Sequence, residues 1–245
     1  MKILSITNHK GGVGKTTTVS CLGVALARKG HRVLMIDLDA QANLTASYIE
    51  PQDISIYNSL KGKSPLPVLQ IERNLDLVPS SEELALIELE IASRMDREYL
   101  LSDLIEPLRN NYDYILIDCP PSLGLLTINA LVASTGTIIT LTAETLPTKG
   151  LGMMEEIIQG VQKRANKTLQ IEGILLTRYE STKLNKLIES QLRERYGDLV
   201  YNTRIRKNTD LAEAPLSKTC IYDYNSKANG AKDYTALTEE LTQNG

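Results

Sequence analysis

With 245 residues, 42% hydrophobic and 23% charged, the chain is long enough to bury one sizeable α/β core and too evenly mixed to be disordered or fibrous. A formal net charge of −3 excludes a surface coated in nucleic-acid-binding charge, and neither an apolar run of about 18 residues nor a charged-then-apolar amino end marks a membrane span or a secretion signal. Three scattered cysteines, Cys21, Cys119 and Cys220, lack the spacing of a disulfide framework or a zinc site, which fits a reducing cytosol.

Short β-branched apolar runs predict strands over 2–7, 32–37, 74–79, 112–118, 136–141 and 169–176, with a weaker one over 199–203. Amphipathic stretches between them predict helices over 14–29, 81–91, 96–109, 123–133, 148–163, 184–195 and 228–241. This alternation implies a single α/β domain over 1–245, a doubly wound and mainly parallel sheet flanked by helices. The stretch 52–67, with Gly, Ser and two Pro, reads as an irregular loop. In the helix 184–195 the leucines are expected to face the core, with Lys186 and Arg193 turned outward. A ligand of such a sheet sits beyond the carboxyl ends of the strands, so the loops after Thr7, Asp37 and Asp118 should converge there.

Those three loops carry the chemistry. After the first strand comes Asn8-His9-Lys10-Gly11-Gly12-Val13-Gly14-Lys15-Thr16-Thr17, and a helix follows. Glycines let backbone N–H groups curl around phosphate oxygens, and the helix start adds free donors and partial positive charge. Lys15 is placed to neutralise β- and γ-phosphate charge, and the Thr16 hydroxyl is a hard oxygen ligand for Mg²⁺. His9 stands where the strict phosphate-loop pattern has its first glycine, and a second lysine, Lys10, precedes the first by five residues. A solvated glycine-rich turn would not bring strand, glycines, Gly-Lys-Thr-Thr and helix together in this order. The second loop, Asp37-Leu38-Asp39-Ala40-Gln41-Ala42-Asn43, presents alternate carboxylates suited to orienting water and managing metal charge. The third, an apolar strand ending in Asp118-Cys119-Pro120-Pro121-Ser122, has the form of a Walker B element.

These residues resemble the ParA/MinD family of deviant Walker ATPases, specifically its ParA branch. The signature Lys-Gly-Gly-x-Gly-Lys-Thr-Thr matches Lys10, Gly11, Gly12, Val13, Gly14, Lys15, Thr16 and Thr17, and the likeness runs on to Glu213-Ala214-Pro215. The resemblance implies ATP and Mg²⁺ as ligands and a nucleotide-sandwich homodimer. In it Lys10 reaches the partner's nucleotide, Lys15 serves its own, and Thr17 assists the phosphates. Thr16 would coordinate Mg²⁺, Asp37 and Asp118 would lie around the metal through water, and Asp39 would orient the attacking water. The family usually writes the second loop Asp-x-Asp-Pro-Gln-Gly-Asn, and here Ala40 replaces Pro and Ala42 replaces Gly. The run Ile205-Arg206-Lys207-Asn208 resembles an Ile-Pro-Arg-Asn element beside the adenine and the DNA face, which makes Arg206 a nucleotide candidate.

Within that family the resemblance implies partition: an ATP-bound dimer on non-specific DNA, released when a ParB-like centromere-binding protein triggers hydrolysis, in the cytoplasm on the nucleoid. From Arg178 to Lys218 nine Lys/Arg stand against six Asp/Glu, a local +3 that leaves −6 elsewhere. Lys183, Lys186, Arg204, Arg206 and Lys207 are the candidate phosphate contacts. ParA-like positioning of another cargo is the competing reading. A MinD-like membrane ATPase would need a basic amphipathic terminal helix, whereas the tail 231–241 is acidic and without Trp or Phe. An iron–sulfur carrier would need paired cysteines, and a helix-turn-helix module of the kind seen in longer relatives is not expected before the first strand.

Overall fold

The structure, a computed structural model, describes residues 1–143 and 148–243. Among them seven strands form one sheet: β1 (Lys2–Thr7), β2 (Val33–Asp37), β3 (Leu69–Glu72), β4 (Leu75–Val78), β5 (Tyr114–Asp118), β6 (Gly136–Thr142) and β7 (Gln170–Thr177). Their order is β3-β4-β2-β5-β1-β6-β7, parallel throughout except for the antiparallel edge strand β3. Five longer helices accompany them: α1 (Lys15–Arg28), α2 (Leu125–Ala133), α3 (Thr148–Arg164), α4 (Lys183–Tyr196) and α5 (Asn229–Gln243).

The strands are almost wholly apolar because both faces are covered, and successive side chains serve opposite cores. Leu4, Ile6 and Leu116 pack with Leu22 and Leu26 of α1 and Tyr234 and Leu237 of α5. Ile3, Ile115 and Ile117 point the other way, into a core with Ile56, Leu101, Ile105 and Leu126. At the β7 end Ile139, Ile174 and Leu176 meet Met154 and Ile158 of α3 and Ile188 and Leu192 of α4.

The six stronger strand expectations correspond to β1, β2, β4, β5, β6 and β7. The weaker one, 199–203, is not a strand. Gly197–Leu199 is a 3-10 turn, and the chain beyond it forms no ladder with β7 and its continuation but isolated bridges, Val200 to Ile174 and Arg206 to Tyr179. Strand β3 was not expected; it turns back on β4 through Asn74, whose φ of 65° lies in the left-handed region that Asn tolerates. The presumed irregular loop 52–67 holds a short helix, Ile56–Leu60, that buries Ile56 and Leu60. The helix expected over 81–91 is a 3-10 turn, Glu82–Leu86, continued by Ile87–Glu90, and that over 96–109 is Leu100–Ile105 followed by the 3-10 segment Glu106–Asn111.

Helix α4 corrects the expected facing of two of its three leucines, Leu192 being buried as expected. Leu184 and Leu187 are 53% and 56% exposed, and the buried face is Asn185, Ile188, Glu189 and Leu192. Two polar residues occupy that face because their polar atoms are paired: Glu189 accepts from Tyr179, Arg193 and Arg204, and Asn185 donates to the Glu180 carbonyl. Arg193, expected to turn outward, folds back onto Glu189 and the carbonyls of Val200 and Tyr201.

Gly173 in β7 lies under the buried Tyr201 ring, where an added Cβ would stand 2.8 Å from the ring carbon Cζ. Gly173→Ala is expected to cost about 1–3 kcal/mol by overpacking, read as a lowered midpoint in thermal unfolding.

Candidate nucleotide site

The loop after β1 bends because two of its glycines take left-handed conformations, Gly12 at φ 71° and Gly14 at φ 79°. Gly14 is the residue before α1, with no side chain capping the first turn and no acid within it. The N–H groups of that turn are therefore left to an anion, and the aligned peptide dipoles favour one there.

Neighbouring strands brace the loop. Thr177 at the end of β7 donates its hydroxyl to the carbonyls of Val13 and Leu141, at 2.9 and 3.1 Å. Asn8 holds the other end: its amide donates to the Thr140 carbonyl at 2.5 Å, and its side-chain oxygen accepts from the Lys10 N–H at 3.0 Å. His9 packs against Gly150 of α3, where any larger residue would displace the imidazole. The Lys15 ammonium, in a residue only 6% exposed, donates to the Lys10 carbonyl at 2.9 Å and so lies across the loop. Burial pulls its pKa down, while Asp118, Cys119 and Asp39 oppose that shift. Lys10 itself is exposed.

Beneath the loop, Asp37 and Asp118 face each other in register at the ends of β2 and β5, both fully buried. Their surroundings differ. Asp37 accepts from the Asp39 N–H at 3.1 Å and from the Thr45 N–H and hydroxyl at 2.9 and 2.7 Å, so it is engaged in holding the loop that carries Asp39. Burial pushes its pKa up to about 6 in spite of these donors. Both carboxylate oxygens of Asp118 are buried without a well-formed hydrogen bond; the donor directed at them is the Thr16 hydroxyl. Burial and then the Asp37 charge hold its pKa well above the usual carboxylate range; Thr16 and Lys15 resist this without reversing it. A buried carboxylate with unfilled oxygens costs free energy that a cation would recover. The site fits Mg²⁺ in this respect: Thr16 and the Asp118 carboxylate are hard oxygen donors. Among the described residues no group of three or more His, Cys, Asp or Glu could hold a metal ion.

Asp39 is half-buried, accepts from the Gln41 N–H at 3.0 Å and lines the same cavity as the glycine loop. Ala42, where the resembled family has glycine, sits at φ 51°, a left-handed conformation that costs an L-residue about 1 kcal/mol. The cavity measures about 950 Å³ and runs from Gly11, Lys15, Thr16 and Thr17 past Asp39 to 205–209, Pro215 and Tyr234. That size suits a nucleotide. Arg206 is in its wall.

The five DNA candidates divide into two sets. Arg206 is clamped by Asp233, with Nη2 to Oδ1 at 2.5 Å; Arg204 bonds to Glu189 at 2.5 Å; Lys207 lies 3.6 Å from Glu180. Each of these cations is thus opposed by an acid of the same chain, which the local excess of +3 conceals. Lys183 and Lys186 are exposed on α4 beside Leu184 and Leu187. Thr177, Asn8, Asp233 and Tyr234 were not anticipated as site residues; only Asn8, adjacent to the lysine signature, carried any signal in the sequence. Among the described residues no helix is long and apolar enough to cross a membrane.

A protein-family model described as an AAA domain matches residues 1–171. The chain is 41% identical to the sporulation initiation inhibitor protein Soj of Bacillus subtilis, over 100% of its own length and 99% of that protein's. It is 37% identical to the chromosome-partitioning ATPase Soj of Treponema pallidum, covering 98% and 96% of the two chains. Among solved structures it superposes on cobyrinic acid a,c-diamide synthase from Mycobacterium smegmatis with bound ADP and magnesium, with a TM-score of 0.86, 33% identity and coverage of 99% and 94%. A loop with an uncapped helix start, braced over two buried aspartates, on a scaffold shared along its whole length with the Soj proteins, shows that the chain belongs to the ParA/MinD family of P-loop ATPases, in its Soj/ParA branch.

Proposed function

We propose that this chain is a DNA-segregation ATPase that binds Mg·ATP in the cavity, pairs with a second copy around the nucleotides and, so paired, holds DNA without sequence preference. The observation that carries the nucleotide half is the buried carboxylate of Asp118, without a well-formed hydrogen bond, beneath a glycine loop whose helix start is uncapped. The partition half is supported by full-length likeness to Soj proteins named for chromosome partitioning.

In this reading the amides of 11–17 and the Lys15 ammonium take the β- and γ-phosphates. Thr16, Asp118 and Asp37 would hold Mg²⁺, which would neutralise phosphate charge when bound. Asp39 orients the attacking water from its loop, and Lys10, exposed at the loop's edge, reaches the phosphates of the second copy. Basal turnover is slow, because beyond Lys10 the sequence offers no obvious cationic finger for the phosphates. A ParB-like centromere-binding partner would raise it. The chain works in the cytoplasm, on the nucleoid, as one domain over 1–245.

Co-sedimentation with DNA under ATP, ADP and no nucleotide, with lipid vesicles run in parallel, tests the proposal. Retention on DNA alone and with ATP alone is expected; retention on vesicles, or DNA binding indifferent to nucleotide, would overturn it. Since acids of the same chain already oppose Arg204, Arg206 and Lys207, Lys183→Glu with Lys186→Glu is expected to weaken ATP-dependent DNA retention more than tenfold. The slope of log affinity against log salt should drop by about 2. Dimer formation in sedimentation velocity should be unaltered.

A further inference from the structure

We propose that Asp233 is a positioning residue of the nucleotide cavity, acting through Arg206 to fix the wall 205–209; this role rests on the ATP-binding reading above. Helix α5 lies outside every loop that carries the phosphate chemistry, yet three positions on one of its faces are tied to the cavity. Spacings of three and four residues bring them onto that face.

At the first, the Gly230 N–H donates to Oδ1 of Asn208 at 3.3 Å. An added Cβ at Gly230 would stand 2.6 Å from Leu211 Cγ, so the approach of α5 to 208–211 depends on glycine. At the second, Asp233, 8% exposed, accepts the Arg206 N–H at 2.9 Å, its Nε at 2.9 and 3.1 Å, and its Nη2 at 2.5 Å. One carboxylate thus grips both the main chain and the guanidinium of a cavity residue. At the third, Tyr234 meets Thr18 of α1 at 3.0 Å; the Thr18 hydroxyl already donates to the Gly14 carbonyl at 2.7 Å, so the tyrosine hydroxyl is the donor.

Just before this wall Glu240 accepts the Asn202 and Thr203 N–H groups and Glu189 pairs with Arg204, so on 205–209 themselves the α5 contacts are those of Gly230 and Asp233. Between Tyr201 and Asp210 no regular strand or helix forms, and the main chain is bonded to β7 and its continuation only intermittently, by Tyr201 N–H to the Ile174 carbonyl, Ile205 N–H to Leu176, Tyr179 N–H to Ile205 and Lys207 N–H to Tyr179. Residues 205–209 nevertheless line the cavity without interruption. A charge-assisted bidentate pair on a buried carboxylate is strong enough to set such a wall, and it neutralises Arg206, whose side chain stays 47% exposed.

The test uses the full chain with Asp233→Asn, Asp233→Glu and the double variant Arg206→Gln/Asp233→Asn. The double variant strands no lone charge, so it separates loss of the clamp from the cost of an unpaired guanidinium. A fluorescent ATP analogue reports Kd, phosphate release reports KM and kcat, and thermal melting without nucleotide reports folding. Asp233→Asn and the double variant are expected to raise Kd and KM about tenfold while kcat at saturating ATP changes less than threefold, and Asp233→Glu to return KM to within about threefold of wild type. A lowered melting midpoint with KM unchanged would reduce Asp233 to a fold-stabilising residue and overturn the proposal. Failure of the unaltered protein to bind ATP would instead overturn the ATP reading on which it rests.

Discussion

Replacement of Lys15 by Ala is expected to weaken ATP binding by at least about a hundredfold, measured by titration with a fluorescent ATP analogue. The ammonium is almost fully buried at the centre of the loop, donates to the Lys10 carbonyl and is the cation whose charge opposes Asp118. Its removal leaves Mg²⁺ as the one positive charge between the incoming phosphates and two buried aspartates. Truncating one partner of a buried, hydrogen-bonded charge pair costs about 2–5 kcal/mol, and each 1.4 kcal/mol is tenfold in affinity. An affinity within about threefold of wild type would show that the triphosphate does not lie against Lys15.

Replacement of Asp39 by Ala is expected to separate binding from turnover. Asp37, which fixes the loop main chain through the Asp39 N–H and Thr45, is untouched by the change, so the loop should keep its course. ATP affinity should stay within about threefold, whereas hydrolysis should fall about 10²-fold or more, the range lost when a positioned acid–base group is removed. ATP-bound dimers should then accumulate in sedimentation velocity. Wild-type turnover by this variant would assign the water to another group.

The sequence revealed what depends on local periodicity or on a short motif. The central strands were legible because burial on both faces makes them nearly unbroken apolar runs, as in Ile115-Leu116-Ile117. Strand β3, four residues at the edge and only partly buried, had no such pattern. The segment 199–203 read as a strand because Val200 and Tyr201 are buried, but their burial comes from packing on β7 rather than from a ladder. The phosphate loop was legible because glycines and lysines act at fixed spacing. Partners far apart in the chain were not: Asp233 with Arg206, Thr177 with Val13, and Glu189 with Arg204 become neighbours only in the folded protein. For that reason charge counting overstated the free cations of 178–218. Helix α4 misled for a related reason, since Glu189 and Asn185 can be buried only because folding supplies their donors and acceptors.

The central claim, that a lysine from each of two copies senses the nucleotide bound by the other, is tested most directly by a crystal structure of the Asp39→Ala protein grown with Mg·ATP. The expected result is a closed pair with a triphosphate in each glycine loop and the Lys10 ammonium of each protomer at ion-pair distance, about 3 Å, from the phosphates held by the other. A closed pair with Lys10 directed into bulk water, or loops that hold no phosphate, would contradict it.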